Sequence, residues 1–177
     1  MPDRVLTGDA LKSWLEAAGK QGVEQASMHV PSEHVRRPEI RDNDRVTLDD
    51  PRRAAALWAR LQAWCPQTIH SWRAVGLNER LRIYRYEGGQ QFNWHRDGTY
   101  SQSDDVRSRL TLLIYLSEGF EGGQTSFADG PQVVPRVGMA LAFKHAMMHK
   151  GEPVTQGVKY VLRTDVMYER ERPLDES

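Results

Sequence analysis

Trp94-His95-Arg96-Asp97, answered much later by His149-Lys150-Gly151-Glu152-Pro153-Val154-Thr155-Gln156-Gly157-Val158-Lys159, is the stretch around which the chain is organised. Side chains at i and i+2 of an extended strand leave by the same face, so His95 and Asp97 point into one volume. His149 brings a further imidazole nitrogen. Two histidines and one carboxylate on one side of a metal leave the opposite positions open, which suits Fe(II) that must bind a cosubstrate and dioxygen. Taken alone, His-x-Asp is a polar strand end. The order of residues after His149 changes that reading.

Around these residues the pattern has period two, with short strands between glycine turns, from Leu77 onward. Strands are expected near Leu81–Tyr86, Phe92–His95, Leu110–Leu116, Thr125–Phe127, Gln132–Val134, Ala140–Phe143, His149–Val154 and Val158–Tyr168. Gly88-Gly89, Gly122-Gly123, Gly130-Pro131 and Gln156-Gly157 supply the turns. Short strands at this spacing predict a barrel or double-sheet sandwich, and their number fits a jelly roll.

The segment His149 to Tyr168 resembles the 2-oxoglutarate- and Fe(II)-dependent oxygenases, in the branch that contains the prolyl 4-hydroxylases. Those enzymes carry His-x-Asp, a distal His, and a basic residue at a set distance beyond it. Lys159 stands at that offset, with Pro153-Val154 and Gly157 at the family's places. The resemblance runs from Leu81 to Tyr168. It implies a mostly β fold with supporting helices: a double-stranded β-helix (jelly-roll) core packed against N-terminal α-helices.

The resemblance also implies roles. His95, Asp97 and His149 would be the iron ligands, with 2-oxoglutarate as cosubstrate, O2 as oxidant and ascorbate as reductant. Cosubstrate decarboxylation would give succinate and CO2 while an unactivated C–H is hydroxylated. Relatives that halogenate lack the carboxylate, so Asp97 argues for hydroxylation. Lys159 would hold the distal carboxylate of 2-oxoglutarate, since a buried diacid needs a cation. Arg163 is the runner-up on the same strand face, about 13 Å away at roughly 3.3 Å per residue. Tyr115 and Thr125 match positions that face the cosubstrate. Tyr86 does too, with a packed strand aromatic as an equal alternative. His145 is a rival third ligand through His-x-x-x-His, but Met139 to His145 reads as strand and turn, which places it behind the ligands or at the rim. Arg109 reads as a surface ion pair, with a place at the barrel mouth as the alternative.

Composition narrows the rest. The 177 residues suit a single domain, and 24 basic residues balance 24 acidic ones. Neutral net charge gives little attraction for nucleic acid or acidic membranes. A single cysteine, Cys65, fits a reducing compartment. Met-Pro-Asp-Arg-Val-Leu is no secretory leader and no stretch is long enough to span a bilayer, so a cytoplasmic protein is expected.

Residues 1–76 are expected to be helical support and a loop or lid region, residues 77–168 the oxygenase core, and residues 169–177 an acidic tail. Leu6 to Gly19 predicts a helix capped by Thr7 or Asp9, with Leu11, Trp14, Leu15 and Ala18 as its stripe. Residues 20–50 read as a charged loop, from which Arg41 or Arg45 could reach an anionic part of the substrate. A second helix starts at Asp49 or Asp50 with Pro51 in its first turn, and packs Leu57, Leu61 and Trp64 on a sheet. Lid candidates are residues 28–48 and Tyr100 to Val106. The resemblance implies a peptidyl prolyl or small amino-acid-like substrate. Rival readings are a cupin-like metal-binding protein and a noncatalytic 2-oxoglutarate or oxygen sensor. Oligomeric state leaves no mark in the sequence.

Overall fold

The strand Val158–Arg170 is the spine of the fold. It is buried over most of its length, and its buried positions include Lys159, Thr164 and Asp165 beside the apolar ones. Residues 4–20, 24–25, 28–30, 33–35 and 42–171 are described by this computed structural model. The first half of the spine pairs antiparallel with Arg80–Glu87, in a register that sets Lys159 opposite Tyr86 and Val161 opposite Tyr84. Its other edge pairs with Val106–Tyr115, setting Val161 opposite Tyr115 and Asp165 opposite Thr111. Towards its end Trp72–Leu77 takes over from Arg80–Glu87. Asp44–Asp49 and Ala140–Lys144 extend this sheet of eight strands.

A smaller sheet runs Gln132–Val133, Thr125–Phe127, His149–Gly151, Phe92–His95. Alternation divides the large sheet's side chains between two cores. Leu81, Ile83, Leu112, Ile114 and Leu162 pack with Trp14 and Ala18 of helix α1 (Gly8–Lys20) and with Ala54, Leu57 and Leu61 of helix α2 (Pro51–Leu61). Tyr84, Tyr86, Tyr115 and Val161 form the second core with Val154 and Met139, and Phe92 packs against it from the smaller sheet. The site lies on that side. The molecule is mostly β with two α-helices among the described residues, arranged as a double-stranded β-helix.

Helix α2 begins as expected: the Arg53 main-chain N–H donates to Asp50 Oδ1 at 3.0 Å, and Pro51 occupies the first turn. Three expectations fail. Trp64 is 57% exposed, because α2 stops at Leu61 and the chain tightens into a 3-10 turn, Gln62–Trp64, which rotates Trp64 off the buried stripe. Asp44–Asp49 is a strand with Val46 and Leu48 buried, so the loop and lid reading does not hold there. The strand expected over His149–Val154 is two strands in different sheets, His149–Gly151 and Val154–Gln156, parted at Glu152-Pro153. Proline has no N–H to continue a ladder. Short strands also occur at Glu24–Gln25, Met28–Val30 and Glu33–Val35. Arg41 and the tail residues 172–177 lie outside the described residues.

Candidate metal centre

His95 ends one strand of the small sheet and His149 begins its neighbour, directly opposite in antiparallel register. Their ring centroids are 4.2 Å apart. Asp97 lies just past the strand end, where its main-chain N–H donates to the carbonyl of His145 at 3.1 Å. Its carboxylate approaches both rings, Oδ2 at 3.6 Å from His149 Nε2 and Oδ1 at 3.9 Å from His95 Nε2. All three donor atoms fall within 4.8 Å of one another.

The tautomers are set by the main chain. His95 Nδ1 sits 2.6 Å from the Asn93 carbonyl and His149 Nδ1 sits 2.9 Å from the Met147 carbonyl. A carbonyl only accepts, so each Nδ1 carries the proton and each Nε2 is the unprotonated nitrogen, the form that binds a metal. Burial alone would raise the Asp97 carboxyl. Arg163, then His149, the Thr111 hydroxyl and His95, outweigh that and hold it at about 2. Ionised carboxylate and neutral Nε2 donors fit a divalent first-row metal such as Fe(II).

The cavity over the triad reaches Tyr84, Thr125, Lys159 and Arg163. Lys159 is 4% exposed, and its ammonium donates to the Gly123 carbonyl with the rings of Tyr86 and Tyr115 at 5.4 and 5.5 Å. Burial lowers its pKa to about 8. No carboxylate faces this ammonium among the described residues. Gly123 has to be glycine: its φ is +66° and a Cβ would sit 2.9 Å from Lys159 Cδ. Thr125 lines the cavity and shares a 2.8 Å hydrogen bond with Tyr115, whose hydroxyl burial pushes up to about 12. Tyr115 lies behind Thr125 and is not on the cavity wall, whereas Tyr86 is. Arg163 Nη2 stands 3.2 Å from Asp97 Oδ1 and 3.4 Å from Asp165 Oδ1, so its guanidinium already has two carboxylates. His145 is buried beside the triad and burial lowers its pKa, but both its ring nitrogens face hydroxyls.

Residues 81–164 match the profile of the 2OG-Fe(II) oxygenase superfamily. That match spans a little under half of the chain and includes His95, Asp97 and His149. A PKHD-type hydroxylase of Janthinobacterium sp. (strain Marseille) is 33% identical over 84 residues, 42% of this chain and 37% of that protein. The matched part thus spans well under half the relative's length. The viral collagen prolyl hydroxylase of Paramecium bursaria chlorella virus-1 superposes with a TM-score of 0.63 at 19% identity, over 95% of this chain and 94% of that one. A prolyl hydroxylase of Trichoplax adhaerens, solved with a peptide of the hypoxia inducible factor oxygen degradation domain, gives 0.70 at 16%, over 93% and 81%. At these identities the superpositions establish the fold.

Within the matched residues, His95, Asp97 and His149 form a cluster of donors that could hold a metal ion. Sequence reasoning missed several residues around it. Phe92 stacks on His95 with rings 10° from parallel, and Phe143 meets His149 edge-on. Thr111 donates to Asp97 Oδ2 at 2.6 Å. Period two puts Thr111 on the face of Tyr115, a signal that could have found it. Arg109 lies 4.1 Å over the Trp72 ring and makes no ion pair among the described residues, contrary to expectation.

Proposed function

We propose that this protein is an Fe(II)- and 2-oxoglutarate-dependent dioxygenase that hydroxylates an unactivated C–H of a peptidyl prolyl or small amino-acid-like substrate. The observation that carries this reading is the pairing, in one cavity, of the His95–Asp97–His149 triad with the buried ammonium of Lys159, which lacks a carboxylate partner among the described residues. His95 Nε2, an Asp97 oxygen and His149 Nε2 would hold the iron. Lys159 would hold the distal carboxylate of 2-oxoglutarate, flanked by Thr125 and backed by Tyr115 and Tyr86. A buried cation costs far less once an anion sits against it, which gives a diacid its place here. Arg163 serves Asp97 instead, keeping that ligand ionised. When bound, the iron with its cosubstrate and dioxygen supplies the oxidation, releasing succinate and CO2, while the protein orients the ligands and keeps water out. Asp97 supports hydroxylation over halogenation. The prolyl hydroxylases among the similar structures, one of them solved with a peptide, support a peptidyl substrate.

Anaerobically purified protein given Fe(II), 2-oxoglutarate, ascorbate and air should form succinate slowly even without substrate. His149→Ala should abolish the signal. Lys159→Ala should raise the 2-oxoglutarate KM by about 100-fold or more, the cost of an unpaired buried carboxylate. Neither turnover nor 2-oxoglutarate binding to the metal-loaded wild type would sink the oxygenase reading in favour of a cupin-like metal protein.

A further inference from the structure

His145 grips Asp97 at two points. Its carbonyl accepts the Asp97 main-chain N–H, and its ring reaches the carboxylate through one intervening hydroxyl, that of Thr111. Thr111 Oγ1 stands 2.6 Å from Asp97 Oδ2 and 2.9 Å from His145 Nδ1. On the far side of the ring, His145 Nε2 is 2.8 Å from Ser108 Oγ, which accepts the main-chain N–H of Tyr100 at 2.8 Å. His145, Thr111 and Ser108 are all buried.

The protons in this row can be placed by counting donors. An ionised carboxylate only accepts, so the single hydroxyl proton of Thr111 goes to Asp97. Thr111 therefore meets the ring with a lone pair, and His145 Nδ1 must carry a proton. The Nε2 of a neutral ring then accepts, so Ser108 donates to it and takes the Tyr100 N–H on its own oxygen. Every link runs one way, from the loop at Tyr100 to the metal-ligand carboxylate.

We infer that His145 is a positioning residue which, as its Nδ1–H tautomer, aims the Thr111 hydroxyl at Asp97 Oδ2 and so presets that carboxylate for the metal. The inference rests on the metal reading of the triad. Partners of this kind orient a ligand and are worth roughly 10- to 100-fold in metal affinity. They also act in series, so removing one link should make removal of the next nearly silent.

Two experiments decide it. Long-range proton–nitrogen NMR on the metal-free wild type should report His145 protonated at Nδ1. An Nε2–H tautomer would overturn the proton order. Affinity for Co(II), a redox-inert stand-in, should fall roughly 10- to 100-fold in Thr111→Val and in His145→Leu. Thr111→Ser, which keeps the hydroxyl, and His145→Asn, whose amide N–H can replace Nδ1–H, should stay close to wild type. The double variant T111V/H145L should bind no worse than the weaker single one. Circular dichroism identifies variants that fold. Equal losses in Thr111→Ser and Thr111→Val, or fully additive losses in the double variant, would reduce the role to packing. A wild type that binds no Co(II) would sink the metal reading, and the NMR experiment would still decide the relay.

Discussion

Lys159 sets the pH behaviour of the site. Its ammonium titrates at about 8 in the folded protein against 10.5 for an ordinary lysine. Below pH 8 the ligand-free fold carries the whole cost of the buried charge. Between 8 and 10.5 the unfolded chain binds more protons, so stability rises with pH, by up to ~3 kcal/mol in total. Lys159→Met should remove this rise and stabilise the ligand-free protein at pH 7, as denaturant midpoints at pH 7 and 9.5 would reveal. On the proposed function, the same proton holds the cosubstrate. Affinity of the metal-loaded protein for 2-oxoglutarate should fall above pH 8 by up to tenfold per unit, and Lys159→Arg should flatten the profile in calorimetric titrations. A flat wild-type profile would place the distal carboxylate elsewhere. At this scale the sequence was informative about ligands and less so about their company. Spacing put Lys159 and Arg163 on one face of one strand, but the carboxylates that occupy Arg163 include Asp97, brought there by long-range folding.

Two local features can be tested at the level of elements. Asp50→Ala removes the cap of α2 and should cost ~1 kcal/mol in a urea titration. It should leave metal affinity unchanged, since α2 packs on the face of the sheet opposite the site. Gly123→Ala puts a methyl group against Lys159 and should weaken 2-oxoglutarate binding, read as a higher KM at unchanged metal affinity. The core strands were legible because alternation and glycine turns are local signals. Asp44–Asp49 was not, because only Val46 and Leu48 are apolar in it and charges hide their period. The break at Pro153 was visible as a residue and overlooked as a boundary. Trp64 kept the helical spacing in sequence while its last turn wound more tightly in space.

For the molecule as a whole, metal should act as a fastener between strands. His95 and His149 lie on adjacent strands and Asp97 follows one of them, so an ion held by all three ties separate parts of the chain together. Co(II) at about 100 times its dissociation constant should stabilise the fold by ~2.7 kcal/mol. Thermal melts should lose that gain with chelator, and His149→Ala should show none of it. Among the described residues no helix is long and apolar enough to cross a membrane. The strand Val158–Arg170 carries Lys159 at one end of the cavity and Arg163, against the triad, at the other. Hydrogen bonds along both edges hold that length of backbone extended, so the two ends cannot drift apart or together without breaking the ladder. The strand is a ruler. On the proposed function, a diacid one carbon too short or too long would touch the ammonium or the metal end, but not both, so cosubstrates would be sorted by length before any chemistry begins.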